Sequence, residues 1–209
     1  MKAYCISGLG ADHRVYESLN VKYEKVDLKW IEPLKNESIK DYSLRLSSRI
    51  DTNEDYIIIG VSFGGIVAVE ISKVLTPKLT VLISTIEQSS ELPWHYKLFR
   101  KVKWVEMLPA SFFNIPYPIA SLLFGTRNQL LKQILKDSDH QFTKWAISSL
   151  LKWRNHTTIN NSLKINGTSD LILASKQSDF YIENGHHFMI VDQAEQITEI
   201  INTYQSSTH

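Results

Sequence analysis

Ser62 stands in Gly60-Val61-Ser62-Phe63-Gly64-Gly65, a serine with glycine two positions to either side. A serine hydroxyl is a weak nucleophile at neutral pH unless a neighbouring base takes its proton. It is best presented on a sharp, strained strand-to-helix turn, where the chain approaches itself so closely that only tiny neighbours fit two positions away. Gly60 and Gly64 meet that demand. A helix starting after such a turn aims free N–H groups at the serine, favouring negative charge at the reacting centre. The pattern by itself also describes a plain glycine-rich turn, so the partners must decide.

The first partner is a histidine. Of seven, His95 and His140 fall in helical or loop context, His156 in a polar turn, His209 at the terminus, and His13 nearer the first glycine-rich loop. His186 and His187, in Gly185-His186-His187-Phe188-Met189, directly follow the last strand-like run, where a loop presents imidazole at the carboxyl edge of a parallel sheet. The residues alone leave open which of the pair is the base. A base needs a carboxylate to fix its tautomer and to stabilise the imidazolium. Asp170, in Asn166-Gly167-Thr168-Ser169-Asp170 just past the penultimate strand-like run, supplies one, its bland alternative being a turn cap. The chain order is therefore Ser, Asp, His. Charge on a tetrahedral intermediate also needs backbone donors. Phe63 offers one N–H, and Leu9, flanked by glycine in Ser7-Gly8-Leu9-Gly10, offers the second.

These residues must be held by a scaffold, and β-rich runs alternate with helical patterns in the manner of a parallel sheet covered by helices. Strands are predicted at 2–6, 23–28, 56–59, 79–83, 163–166 and 180–182, with Tyr56-Ile57-Ile58-Ile59 reading as a central strand buried on both faces. Helices are predicted over 38–50, 64–75 and 192–204; the second lacks a polar face, which implies burial against the sheet. Between residues 86 and 160 the strands stop, and helices broken by Pro93, Pro109, Pro116, Pro118 and Gly125 take their place.

Taken together, Gly8-Leu9-Gly10 after the first strand, the Ser62 turn, Gly167-x-x-Asp170 and Gly185-x-His187-Phe188 before the final helix resemble the α/β-hydrolase superfamily along the whole chain. The resemblance is greatest to small bacterial members with openings like Ile6-Ser7-Gly8-Leu9-Gly10-Ala11-Asp12 and endings like Gly-Gly-His-Phe-Met-Ile. Here His186 replaces the second glycine of that ending, which puts His187 in the catalytic position. The oxyanion loop departs too, beginning Ser7-Gly8 where the superfamily has His-Gly. The resemblance implies an α/β fold, a doubly wound, mostly parallel six-stranded sheet lacking the family's first two strands. It implies a single domain, 1–209, whose core is 1–85 and 161–209 and whose helical lid is about 86–160. Trp94, Tyr96, Phe99, Trp104, Phe112, Phe113, Tyr117 and Phe124 are the aromatics available to line a pocket under that lid. Such a lining favours an apolar acyl or alkyl group.

The expected activity is that of a serine hydrolase acting on a carboxylic ester or thioester, with no metal and no organic cofactor. Other reactions of the same triad, namely carbon–carbon bond hydrolysis, perhydrolysis or acyl transfer, stay open, as does a ligand-binding module with a vestigial triad. Serine in place of aspartate at position 62 speaks against dehalogenase and epoxide-hydrolase chemistry, which forms an alkyl ester on a carboxylate.

Composition excludes other classes. The 209 residues are 43% hydrophobic and 22% charged, enough to build a core. With Lys plus Arg at 23 and Asp plus Glu at 22, the net charge of +1 leaves no basic surplus for nucleic acid or an anionic membrane. No run reaches membrane-spanning length, so stable membrane insertion is not expected. Cys5, alone in the chain, can form neither an internal disulfide nor a zinc site and reads as a core residue. The start Met1-Lys2-Ala3-Tyr4-Cys5-Ile6 reaches Ser7-Gly8 before the long apolar stretch of a signal peptide could form, so a cytoplasmic protein is the simplest expectation. Sequence does not fix the natural ester or the oligomeric state.

Overall fold

The computed structural model describes residues 1–94, 96, 108–113 and 115–204. Among these residues six strands form one sheet: β1 Lys2–Ile6, β2 Glu24–Asp27, β3 Tyr56–Val61, β4 Leu79–Ile83, β5 Ser162–Gly167 and β6 Phe180–Ile182. Their order is β2-β1-β3-β4-β5-β6, and every neighbouring pair is parallel. Because β1 connects to one side and β3 continues to the other, the order reverses between them, and the crevice at the carboxyl ends there is where such sheets place their ligands.

Helices cover both faces. They are α1 Ile39–Ser47, α2 Phe63–Ser72, α3 Tyr117–Phe124, α4 Gln129–Asp137, α5 His140–Lys152, α6 Met189–Asp192 and α7 Ala194–Thr203. Alternate strand residues serve the two faces, as the twofold period of a strand requires. Tyr4, Ile6, Ile58 and Leu82 pack with α1, α2 and α5, whereas Ala3, Cys5, Ile57, Ile59, Val81 and Ile165 pack with α7 and with Leu131 and Ile134 of α4. Cys5 is a core residue, and burial pushes its thiol up to about 12, against a smaller pull from Lys25. Helix α2 is buried almost throughout, from Phe63 to Ile71, which matches its lack of a polar face.

The element ends differ from the sequence expectation in instructive places. Helix α1 spans Ile39–Ser47 rather than 38–50: Ser38 caps its start, and the hydroxyls of Ser47 and Ser48 bond back to the carbonyls of Leu44 and Arg45 where it ends. Side chains of this kind compete with the helical ladder. Helix α2 begins one residue earlier than expected and stops at Ser72, whose hydroxyl bonds that of Thr80. Pro118 does not break a helix; it lies in the first turn of α3, where its missing N–H costs nothing. The C-terminal helical stretch starts early, at Met189, and is interrupted at Gln193.

Helices α3, α4 and α5 lie between β4 and β5 in the chain, so the sheet is interrupted by a helical insertion. Among the described residues no helix is long and apolar enough to cross a membrane.

Candidate active site

Ser62 sits between the last residue of β3 and the first of α2, with φ 55° and ψ −124°. A non-glycine residue in that region stores strain of about 1–3 kcal/mol, so the surroundings must impose it. They do so through hydrogen bonds to its backbone. The Ser62 N–H donates to the Ile83 carbonyl at 2.9 Å, while the Ser62 carbonyl accepts from the Thr85 hydroxyl at 2.7 Å and from the Gly65 N–H at 2.9 Å. A methyl group on Gly60 would lie 2.7 Å from the Gly64 carbonyl oxygen, and one on Gly64 would lie 2.2 Å from the carbonyl oxygens of Ile6 and Ser7. The glycine requirement at both positions is thus a requirement of backbone contact.

The Ser62 hydroxyl is 2.8 Å from His187 Nε2, and His187 Nδ1 is 2.8 Å from Asp170 Oδ2. Three residues separated by up to 125 positions meet at the carboxyl ends of β3, β5 and β6. The Asp170 carboxylate is fully enclosed. Its second oxygen, Oδ1, accepts the N–H groups of Ile172 at 2.7 Å and Leu173 at 3.1 Å. Burial works to raise the Asp170 pKa, but the hydrogen bond and charge of His187 together with these two N–H groups outweigh it and hold the carboxyl below its ordinary range. An ionised carboxylate can only accept, so His187 Nδ1 carries the proton. When Nδ1 holds the ring's single proton, Nε2 is the acceptor that faces the serine hydroxyl. The arrangement can take a proton from Ser62 and stabilise the imidazolium that results.

The loop after β1 closes the site from the other side. A methyl on Gly8 would lie 3.3 Å from the Ser62 Cβ and 3.9 Å from its hydroxyl oxygen, so this backbone passes in contact with the serine. The turn is held by the Ser7 hydroxyl on the Ala11 carbonyl at 2.8 Å and by the Ala11 N–H on the Gly8 carbonyl at 3.0 Å. Leu9 and Phe63 both line the cavity at Ser62. The Phe63 N–H is the first of α2, where the helical ladder offers it no acceptor.

That cavity has a volume of about 450 Å³. Its walls include Tyr96, Phe113, Leu123, Phe124, Leu131, Ile134, Ala146 and Leu150 together with Ser62 and His187, and among the described residues no Lys, Arg, Asp or Glu lines it. A larger groove of about 1300 Å³ runs between residues 30–40 and α5, but none of Ser62, Asp170 or His187 lines it. Of the aromatics named from sequence, Tyr96, Phe113 and Phe124 line the cavity, Trp94 and Phe112 are exposed, and Tyr117 packs against the core face shared with α7. Phe99 and Trp104 lie outside the described residues, as do His95 and His209. Among the described residues no cluster of His, Cys, Asp or Glu is arranged to hold a metal ion.

Of the two late histidines, the structure brings His187 to both Ser62 and Asp170, while His186 points elsewhere, its Nδ1 3.1 Å from the Ser169 carbonyl. Sequence reasoning missed several supports. Phe124 sets its ring edge-on to the His187 ring, with centroids 5.3 Å apart at 73°. Thr85 holds the serine turn, and Ile172 and Leu173 hold the carboxylate. Gly167 and Gly185 press together so closely that a methyl on either would strike the other's backbone. The glycines were visible in the sequence; their mutual contact was not.

No protein-family model matches the chain, and neither does the sequence of any curated protein. Solved structures do. A lipase-esterase related protein from Clostridium acetobutylicum superposes with a TM-score of 0.69 at 15% identity, over 98% of this chain and 94% of that one. The type II thioesterase BorB from the borrelidin biosynthetic cluster gives 0.68 at 13% identity, over 96% and 90%. A meta-cleavage product hydrolase from Pseudomonas fluorescens gives 0.65 at 13% identity, over 96% and 89%. The likeness spans nearly the whole of each molecule at low identity, and with the six parallel strands in the order found it places this chain in the α/β-hydrolase fold.

Proposed function

We propose that this chain is a serine hydrolase that cleaves a carboxylic ester or thioester through an acyl-enzyme. The observation that carries the reading is the unbroken relay from the Ser62 hydroxyl through His187 to Asp170, with both links at 2.8 Å, beside an apolar cavity. The names of the structural neighbours, which include a lipase-esterase related protein, a type II thioesterase and a meta-cleavage product hydrolase, support hydrolytic chemistry on this fold.

In this reading Ser62 Oγ attacks the acyl carbonyl as His187 Nε2 takes its proton. The N–H groups of Leu9 and Phe63 receive the oxyanion. The imidazolium then protonates the leaving alcohol or thiol, and the acyl group remains on Ser62. Water, activated by the same imidazole, releases the acid and restores the serine. Asp170, held by Ile172, Leu173 and His187, keeps the ring in the tautomer each step requires. No step calls for a metal or an organic cofactor.

The described residues that line the cavity are apolar for the most part and include no Lys, Arg, Asp or Glu, which favours an uncharged apolar acyl group. The domain reading is a single domain, with 1–85 and 161–209 carrying the triad and 86–160 serving as a lid over the cavity. Tyr96, Phe113, Leu123, Phe124, Leu131, Ile134 and Ala146 all come from that insertion and line the pocket, which supports the assignment. Hydrolysis of p-nitrophenyl esters by the wild type and by Ser62→Ala tests the reading. Loss of the nucleophile should lower kcat by roughly 10⁵- to 10⁶-fold with little change in melting temperature. Retained turnover would mean that Ser62 is not the nucleophile.

A further inference from the structure

His186 directly precedes His187 in the loop after β6, and its imidazole is not among the residues that line the cavity. Its ring touches the site from behind at two places. Nδ1 lies 3.1 Å from the Ser169 carbonyl, and because a carbonyl can only accept, Nδ1 is the protonated nitrogen. Ser169 is the residue immediately before Asp170, and its own N–H donates to the Gly185 carbonyl at 2.9 Å. The two polar backbone atoms of Ser169 are therefore both held by the segment 185–186. By contrast, the Asp170 N–H reaches the Gly167 carbonyl only at 3.3 Å.

On its other side the ring lies against Gly125, the residue that ends α3 with φ 66°. A methyl there would fall 2.1 Å from His186 Cγ, so the ring occupies the space that a side chain at 125 would need. The residue before it, Phe124, accepts the Phe188 N–H on its carbonyl at 3.3 Å and sets its ring against His187. One imidazole is thus in contact with the loop that carries the acid and with the end of the helix that buttresses the base.

We propose that His186 is a positioning residue: its imidazole latches the Asp170 loop and the end of α3 to the loop that carries His187, and so fixes the carboxylate and Phe124 against the catalytic ring. The proposal rests on the reading of Ser62, His187 and Asp170 as a triad. Since misplacement of a catalytic group by about 1 Å can cost 100-fold in rate, a loosened loop acts on turnover. Substrate affinity is spared, because His186 does not face the cavity.

The test compares wild type with His186→Ala, His186→Asn and His186→Phe. Asparagine carries an amide N–H near the place of Nδ1, whereas phenylalanine fills the volume with no donor. Steady-state kcat and KM on p-nitrophenyl butyrate are measured together with the rate of Ser62 labelling by a fluorophosphonate. The expected result is a drop of roughly tenfold in kcat and labelling for His186→Ala and His186→Phe, with KM within about twofold, and recovery by His186→Asn to within about threefold of wild type. If His186→Ala does not fold, the Asn and Phe variants carry the same comparison. Labelled wild type with full turnover in His186→Ala, or Asn no better than Phe, overturns the proposal and leaves the triad standing. Folded wild type that is not labelled at Ser62 overturns both.

Discussion

Gly167→Ala is the substitution whose effect follows most directly from the geometry. Gly167 ends β5 on the path to Asp170, and Gly185 follows β6 on the path to His187. An alanine methyl at 167 would lie 2.0 Å from the Gly185 carbonyl oxygen, where real contacts of this kind are not closer than 3.0 Å. Both partners are backbone, so no side chain can rotate away. The acid loop and the base loop must part by at least about 1 Å, which is enough to cost roughly 100-fold in rate. Ser169 and Gly185, joined by a 2.9 Å hydrogen bond, lie across the same junction and would be strained with it. The overpacking also destabilises the fold by about 1–3 kcal/mol, which leaves most domains of this size folded at 25 °C. The assay is kcat on a p-nitrophenyl ester, with urea denaturation confirming that the variant is folded. A folded Gly167→Ala variant with wild-type turnover would refute the claim that contact between these two glycines sets the spacing of acid and base.

Two further outcomes are expected. Asp170 has a pKa below its ordinary value in the folded chain, so its ionised form contributes stability that is fully present above the ordinary carboxylate value of 3.8 and is lost as pH falls through the depressed folded value. The stability gap between wild type and Asp170→Asn, read from urea midpoints, should therefore be widest near neutrality and narrow as the pH is taken below 3.8; a gap that widens on acidification contradicts this. Ala146→Phe adds bulk at a fully buried wall of the 450 Å³ cavity and should move the preferred acyl chain of a p-nitrophenyl ester series to shorter lengths, whereas an unchanged optimum would place the acyl group elsewhere.

Much of the fold was legible because its strands are short runs of β-branched and apolar residues between turn signals. Lys2–Ile6, Leu79–Ile83 and Phe180–Ile182 stand where the pattern puts them. The end of α1 was less legible because hydroxyls compete there: Ser47 and Ser48 turn their side chains to the carbonyls of Leu44 and Arg45, an alternative to the ladder that periodicity does not register. Ser62, Asp170 and the histidine pair could be read because their motifs fall after strands of one parallel sheet, whose carboxyl ends share an edge. The choice within the pair could not be read from spacing, since neighbouring residues in a loop have no fixed direction; only the resemblance pointed to 187. Helix α3 hid its orientation for another reason. Tyr117–Phe124 is apolar on all sides, so no hydrophobic stripe announces that Leu123 and Phe124 face the cavity while Leu122 faces out.

The most direct measurement is exposure of the folded protein to a fluorophosphonate, followed by mapping of the adduct by peptide mass spectrometry. A relay that makes the Ser62 oxygen nucleophilic predicts a single adduct on Ser62, absent in Ser62→Ala and formed far more slowly in His187→Ala. An unlabelled Ser62 in folded protein, or labelling at wild-type rate without His187, would contradict it.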